Sequence, residues 1–105
     1  MVIYDRLYYL ENVIIYHYMK LELSKEQKNS YNEFAKKIGN NVKKQRSKLD
    51  LRQEDMDSEP MPFDVRNYQR IEYGERDLTL QTIYALCVKL ECQPEELFKG
   101  IKIDL

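Results

Sequence analysis

Cysteine, histidine and glycine are scarce in this 105-residue chain, and each scarcity excludes a class of protein. The two cysteines, Cys87 and Cys92, are too few for a disulfide framework, and Cys87 falls on an apolar helix face typical of a core. The single histidine, His17, has no evident ligand partner, so we expect no metal site. Only three glycines are present, without a phosphate-cradling loop or a catalytic triad. We therefore expect no catalytic residue, no cofactor and no enzyme activity.

Long hydrophobic runs are also missing. No stretch approaches the roughly 18 apolar residues of a membrane span. The first residues, MVIYDRLYYL, carry early charges and lack a small-residue cleavage site, which argues against a signal peptide. We expect a protein of the cytoplasm without a membrane partner.

Charge is nearly balanced overall but unevenly distributed. The formal net charge is −1, so there is no global basic signal for nucleic acid. Residues 36–52, however, include seven basic residues and only one acidic residue. Residues 53–64 include five acidic residues and no basic one. A basic stripe can hold phosphates even on a neutral chain, and it can equally be a solvated helix face.

Capping residues and apolar spacing predict a mainly α fold. Ser24 with Gln27, and Ser30 with Glu33, both have capping-box spacing, so a helix begins near residue 25 or 31. Its buried face is expected to hold Phe34, Ile38, Val42 and Leu49.

The second half of the chain predicts four further helices. A short helix over 53–59 must end at Pro60 and Pro62, because prolines spaced this way cannot lie inside a helix. Asp64 then caps a helix over 65–73 that Gly74 terminates. Thr79 caps the fourth helix, and a last short helix spans 94–99 before Gly100. The apolar stripe of the fourth helix is expected to hold Leu80, Ile83, Leu86, Cys87 and Leu90.

Both ends of the chain lie outside this helical unit. Residues 1–23 hold five of the nine tyrosines, and both a helix over 2–12 and a strand over 13–22 fit their pattern. Residues 101–105 alternate between apolar and polar and predict a short strand, which would pair with 13–22. We expect three parts: an N-terminal extension over 1–30, a helical domain over 31–100, and a tail or strand over 101–105.

The spacing of several short motifs carries a resemblance. They are Ile38-Gly39, Val42, Arg46, Leu51-x-Gln53-Glu54-x-Met56, Arg70-Ile71-Glu72-x-Gly74, Leu80-x-x-Ile83, Leu86, Leu90 and Pro94-Glu95-Glu96-Leu97-Phe98. Residues 38–98 thereby resemble the phage repressor and Cro-type, or lambda-repressor-like, helix-turn-helix family. The resemblance implies a five-helix domain that binds double-stranded DNA.

The helix over 65–73 would be the one that reads DNA. Tyr68 and Ile71 are three residues apart and would face the core, which leaves the opposite face free. Arginine is the best reader of guanine, and valine near a helix start can touch a thymine methyl. The predicted base-contacting residues are Val65, Arg66, Gln69 and Arg70.

Other residues are expected to position this helix. The resemblance implies that Gln53, at the start of the second helix, meets a phosphate. Arg46 and Glu72 match a family ion pair, which we interpret as architectural. Further candidates for phosphate contact are Lys43, Lys44, Arg52 and Arg76.

The chain departs from the family pattern at three places. Asp57 stands where a small residue is usual, the turn over 60–62 is longer and lacks glycine, and Asp64 places an anion at the start of the DNA-reading helix. We expect a transcriptional repressor that binds a palindromic operator as a homodimer. Two alternatives stay open: an antitoxin that folds residues 1–23 onto a toxin, and a protein-binding module that keeps the fold without DNA.

Overall fold

A computed structural model describes residues 22–59 and 62–105 of the chain. Their elements are α1 (Lys25–Lys48), a 3-10 helix (Gln53–Met56), α2 (Val65–Tyr73), α3 (Leu80–Leu90) and α4 (Pro94–Leu97). The mainly α class expected from the sequence is confirmed for these residues.

The expected second α-helix is a four-residue 3-10 helix, so the prediction of five α-helices is wrong for the described residues. Asp55 turns its carboxylate back onto the amide of Arg52, at 2.7 Å, and tightens this first turn. An α-helix would next require an N–H at residue 60, which is proline and has none. The carbonyl of Met56 instead accepts the N–H of Phe63, at 3.0 Å.

A buried lysine holds the chain that follows the 3-10 helix. The ammonium group of Lys89, on α3, donates to the Ser58 hydroxyl at 2.8 Å, to the Ser58 carbonyl and to the Glu59 carbonyl at 3.0 Å. Lys89 is only 7% exposed, and these oxygens satisfy its charge. Side-chain hydrogen bonds thus replace the missing helical turn and fix the chain against α3.

Helix α1 begins at the first of the two expected starts. Ser24 accepts the amide of Gln27 at 3.1 Å, and the Gln27 side chain accepts the amide of Ser24 at 2.9 Å, which completes a capping box. Ser30 lies inside the helix, which passes without a break through the boundary expected at residue 30.

The predicted terminators of the later helices are present. Asp64 accepts the amide of Asn67 at 3.1 Å, and Gly74 ends α2 in the left-handed conformation with φ 71°. Thr79 accepts an amide of the first turn of α3 in the same way. Helix α4 starts at Pro94 but ends at Leu97, two residues before its expected end.

The core is formed where α1, α2 and α3 meet the 3-10 helix and α4. The side chains that are fully or almost fully buried in it are Ile38, Val42, Met56, Tyr68, Ile71, Leu86, Leu90 and Leu97. The expected stripe of α3 is wrong at Leu80, which is 83% exposed. Leu80 lies on the helical line of Tyr84 and Val88, away from the line through Leu86 and Leu90. Leu49, just past the end of α1, is likewise exposed.

The strand expected over 101–105 is not formed. These residues are irregular, and Ile103 and Leu105 are exposed, because no strand among the described residues pairs with them. The partner strand expected over 13–22, the helix expected over 2–12 and the interface expected over 1–23 lie outside the described residues, Glu22 and Leu23 excepted.

Within residues 22–59 and 62–105, no helix has the length and apolar character needed to cross a bilayer. The same residues contain no group of three or more histidine, cysteine, aspartate or glutamate side chains arranged to hold a metal ion.

Candidate nucleic-acid interface

Helix α2 turns one face into the core and leaves the other in solvent. Tyr68 is fully buried, and Ile71 and Glu72 are almost so. On the opposite side, Arg66 and Arg70 are exposed and one helical turn apart. Tyr73 completes this face at 56% exposure. The two guanidinium groups can therefore reach toward the same ligand surface. We call Arg66, Arg70 and Tyr73 the exposed face of α2.

A buried ion pair joins α2 to α1. Arg46 donates through Nε to Glu72 Oε2 at 2.7 Å and through Nη2 to Glu72 Oε1 at 3.1 Å. Its Nη1 donates to the carbonyl of Leu51 at 2.7 Å. The side chains of Arg46 and Glu72 are only 11% and 2% exposed. The guanidinium group of Arg46 thus holds α1, α2 and the segment that follows α1 in one arrangement.

The ion pair also sets the ionisation of its members. Burial acts to raise the pKa of Glu72, but the hydrogen bonds from Arg46 and Gln53 outweigh it and hold that pKa below its usual range. The hydrogen bond to Glu72 raises the pKa of Arg46. Burial, with Glu72 beside it, raises the pKa of the Tyr68 hydroxyl. The centre of the domain therefore holds a carboxylate and a guanidinium that stay charged at neutral pH.

Two glutamines extend the pair to the surface. Gln53 donates to Glu72 Oε1 at 3.2 Å, and Gln69 donates to Gln53 Oε1 at 3.1 Å. Both side chains are half-buried. The series Arg46–Glu72–Gln53–Gln69, here called the polar network, ties the 3-10 helix to the edge of the exposed face of α2. The sequence located all four residues but did not predict that the two amides bond to each other.

The polar network changes what Gln53 can do. The resemblance implied that its side chain and a helix N-terminus together hold a phosphate. The element that Gln53 begins has only four residues, so it has little dipole to offer an anion. Its amide oxygen and nitrogen are also both engaged within the protein. The main role of the Gln53 side chain in this structure is therefore to orient Gln69.

The remaining base-contact candidate lies at the start of α2. Val65 is the first residue of the helix and is half-buried, directly after the capping carboxylate of Asp64. Its short, half-buried side chain extends less far into solvent than the arginine side chains do. Arg66 and Arg70 are thus the longest and most exposed of the four predicted base-contacting residues.

Lys43 and Lys44 are both exposed on α1 but point in different directions. Gly39 lies against the backbone of α2, since a Cβ there would be 2.3 Å from the carbonyl oxygen of Glu72. Lys43 is one turn beyond Gly39 and lies on the same flank of α1, next to α2. Lys44 is turned about 100° further round, away from that flank. The geometry favours Lys43 as the phosphate-contacting residue of the two.

The two arginines expected at phosphates have other surroundings. Arg52 is paired with Asp55 at 3.4 Å and lies 3.9 Å from Glu54, so acids already neutralise much of its charge. Arg76 borders an apolar cleft beside Phe34 and Phe98. Neither is brought to the exposed face of α2 by a contact in the structure.

Two of the three departures from the family pattern, Asp57 and Asp64, can be located in the structure, whereas the turn over 60–62 lies outside the described residues except for Pro62. Asp57 follows the 3-10 helix and is exposed, so no close helix crossing forms at that position. Asp64 is exposed at the start of α2, where its carboxylate serves the helix as a cap. Asp57, Glu59 and Asp64 are all exposed in the segment of the chain that precedes α2, and they are here called the acidic edge.

Sequence reasoning missed the role of Lys89. The signal was present, because Lys89 is the only charged residue of α3 and stands between the core positions Leu86 and Leu90. A charge in that register must be paired or must break the apolar face. The oxygens that pair it come from a loop whose path the sequence did not predict.

Comparisons with protein-family models, with curated proteins and with solved structures found no match in any of the three. The resemblance to phage repressor and Cro-type domains stays a prediction from the sequence.

Proposed function

We propose that the chain is a sequence-specific DNA-binding regulator that inserts the exposed face of α2 into the major groove. The observation that carries the proposal is the polar network, which holds α2 rigidly by its buried side while Arg66 and Arg70 stay exposed. A helix with its side chains is about 10–12 Å across, close to the roughly 12 Å width of the groove. Rigid placement of reading side chains reduces the ordering cost of binding.

The chemistry of the exposed face suits base edges. Arginine can donate two parallel hydrogen bonds to O6 and N7 of guanine. An amide such as that of Gln69 can bind N6 and N7 of adenine, and Gln53 holds this side chain in position. The flank of α1 that carries Lys43 supplies positive charge for the phosphates beside the groove.

We further propose that the regulator is a repressor that acts on a palindromic operator as a homodimer. A single exposed face offers few base contacts, and two copies double both the contacts and the length of DNA that is read. Residues 1–23, rich in tyrosine and aliphatic side chains, are proposed as a surface for a second copy or for another protein. The same DNA-binding domain with a toxin bound to that segment would be an antitoxin.

A second candidate function is supported by the acidic edge. Asp57, Glu59 and Asp64 are exposed in the segment just before α2, and the carboxylate of Asp64, at the start of the helix, repels phosphate. A basic protein surface would meet this edge more favourably than DNA would. The alternative is therefore a protein-binding module, which should show no salt-dependent affinity for DNA.

The two arginines give the sharpest test of the proposed function. Arg66→Ala and Arg70→Ala are each expected to weaken specific DNA binding by about 1–3 kcal/mol and to relax selectivity at one base position per half-site. The reason is the loss of a bidentate contact to one base. Fluorescence polarisation with a labelled duplex from upstream of the coding sequence would measure both effects.

Lys102→Ala is the matched control for this test. Lys102 is exposed in the segment after α4 and carries the same charge as an arginine, but it does not lie on α2. This variant should bind DNA like the unmodified protein. Arginine variants that also keep full affinity and selectivity would show that α2 does not read DNA.

The two lysines of α1 test the phosphate contact. Lys43→Ala should weaken binding to all sequences alike and lower the slope of log K against log salt by about 1, because one phosphate contact is lost. Lys44→Ala removes the same charge from the side of α1 turned away from α2 and should change the slope less. Salt titrations of both variants make the comparison. Equal slopes for Lys43→Ala and the unmodified chain would leave that flank without a role in binding.

A further inference from the structure

The two cysteines of the chain meet where α3 ends. Cys87 lies in the last turn of the helix, and Cys92 lies just beyond its end. Glu91, between them, takes the left-handed conformation with φ 52° and turns the chain back on itself. The N–H of Cys92 consequently donates to the carbonyl of Cys87 at 3.1 Å, and the N–H of Glu91 donates to the carbonyl of Val88. This pair of bonds is a helix ending in which the first and last side chains commonly touch.

The backbone bond brings the two cysteines within reach of a disulfide. A nitrogen is about 1.5 Å from its own Cα, and a carbonyl oxygen is about 2.4 Å from its Cα. With 3.1 Å between the nitrogen of Cys92 and the oxygen of Cys87, the two Cα atoms are at most about 7 Å apart, and closer once bond angles are counted. Cysteines in disulfides have Cα atoms about 4.4–6.8 Å apart.

The two thiols also share one environment. Both side chains are half-buried and pack against the core, and both are free thiols in the structure. Burial, and then the neighbouring Cys87 thiol, raise the pKa of Cys92 to about 11. The side chains therefore lie side by side, as the backbone requires, and Cys92 is protonated at neutral pH. The sequence contains no third cysteine that could compete for either thiol.

We propose that Cys87 and Cys92 form a dithiol site that a low-molecular-weight disulfide, such as glutathione disulfide, oxidises to an internal disulfide. Cys87 loses its proton and its sulfur attacks one sulfur of glutathione disulfide. That S–S bond breaks, and the first glutathione leaves as a thiolate that takes up a proton. Cys92 then loses its proton and attacks the sulfur of Cys87, and the second glutathione leaves in the same way. The protein gives up two electrons, and glutathione disulfide is reduced to two thiols.

The disulfide would close around the part of α3 that holds two other regions in place. Leu90 lies in the core, and Lys89 holds the carbonyls of Ser58 and Glu59. A fold that favours the disulfide is by linkage favoured by it to the same degree. The stability of the domain thereby depends on the ratio of glutathione disulfide to glutathione. This site is independent of the proposed contact with DNA, and its test needs no DNA.

The test equilibrates the full chain with mixtures of glutathione and glutathione disulfide, quenches it with acid and measures its mass. The expected product is lighter than the reduced chain by about 2 Da, the mass of two hydrogen atoms, and carries no glutathione. In concentrated urea the equilibrium constant for this disulfide should fall at least about ten-fold, because the unfolded chain lacks the hydrogen bond that holds the cysteines together. The oxidised chain should accordingly melt at a higher temperature than the reduced chain.

A double variant supplies a control with the same number of thiols. Glu26 lies in the first turn of α1, whereas Lys48, whose charge acts on the Cys92 thiol, lies at the other end of that helix, about 33 Å away. Cys92→Ser combined with Glu26→Cys should therefore bind one glutathione at each thiol and form no internal disulfide. Circular dichroism checks that this variant is folded.

Two results would overturn the proposal. One is an unmodified chain that stays reduced or binds glutathione at both cysteines, as the double variant is expected to do. The other is an equilibrium constant that is the same in the folded chain and in urea. In either case Cys87 and Cys92 make only an apolar contact at the end of α3.

Discussion

Replacing Glu72 by alanine is expected to lower the free energy of unfolding by about 3–5 kcal/mol. The substitution leaves the guanidinium of Arg46 almost buried and without its carboxylate, since that side chain is only 11% exposed. It also removes the acceptor of the Gln53 amide, so the polar network loses its centre. Urea denaturation followed by circular dichroism would measure the loss. Glu75→Ala, an exposed carboxylate just after α2, should cost less than about 0.5 kcal/mol.

A double substitution separates the interaction of the pair from the desolvation of each charge. Arg46→Met combined with Glu72→Met removes both charges and should cost clearly less than the sum of the two single substitutions, because no unpaired charge is left buried. Additive costs would mean that the two side chains do not interact in solution, in contradiction to their 2.7 Å contact.

Gly39→Ala is expected to destabilise the fold by about 3 kcal/mol or more, although alanine is by itself the better helix former. A Cβ at position 39 would lie 2.3 Å from the carbonyl oxygen of Glu72 and 2.6 Å from that of Ile71. Both atoms are backbone, so α1 and α2 would have to move apart to admit the methyl group. Thermal unfolding followed by circular dichroism would show a lower melting temperature.

The control for Gly39→Ala lies at the next residue of the same helix. Asn40 is exposed, and alanine there should leave stability unchanged or raise it slightly. Because α2 is displaced by the extra methyl group, Gly39→Ala should also weaken DNA binding if the protein is kept folded at low temperature. A Gly39→Ala protein as stable as the unmodified one would mean that α1 and α2 are not in close contact.

Local signals predicted most of the helical elements correctly. Asp64, Thr79 and Gly74 each act through hydrogen bonds or backbone conformations within a few residues, so short sequence patterns suffice to recognise them. The path of the chain after the 3-10 helix could not be predicted in this way. Ser58 and Glu59 are held there by the buried ammonium of Lys89, which lies 31 and 30 residues further along the chain. Contacts that close such a loop leave no local pattern.

In the candidate interface, too, features set by local sequence were predictable and features set by contacts between distant residues were not. Arg66 and Arg70 could be placed on one face from helical periodicity alone, and both are exposed there. The bond between Gln53 and Gln69 joins two elements, and it required the path of the chain between them. Leu80 was expected in the core because apolar spacing identifies a face without showing which of two apolar faces is buried.

A two-dimensional ¹⁵N–¹H NMR titration of the full chain with duplex DNA from upstream of its coding sequence tests the central claim most directly. It reports every backbone amide of a 12.7 kDa protein separately and needs no substitution. We expect the largest shifts along the exposed face of α2 and at Gln53, with smaller shifts at Lys43 and none above background on α3. The shifts should weaken as salt is raised. A spectrum unchanged by DNA at low salt, or shifts centred on α3 or α4, would contradict the assignment of α2 as the DNA-reading helix.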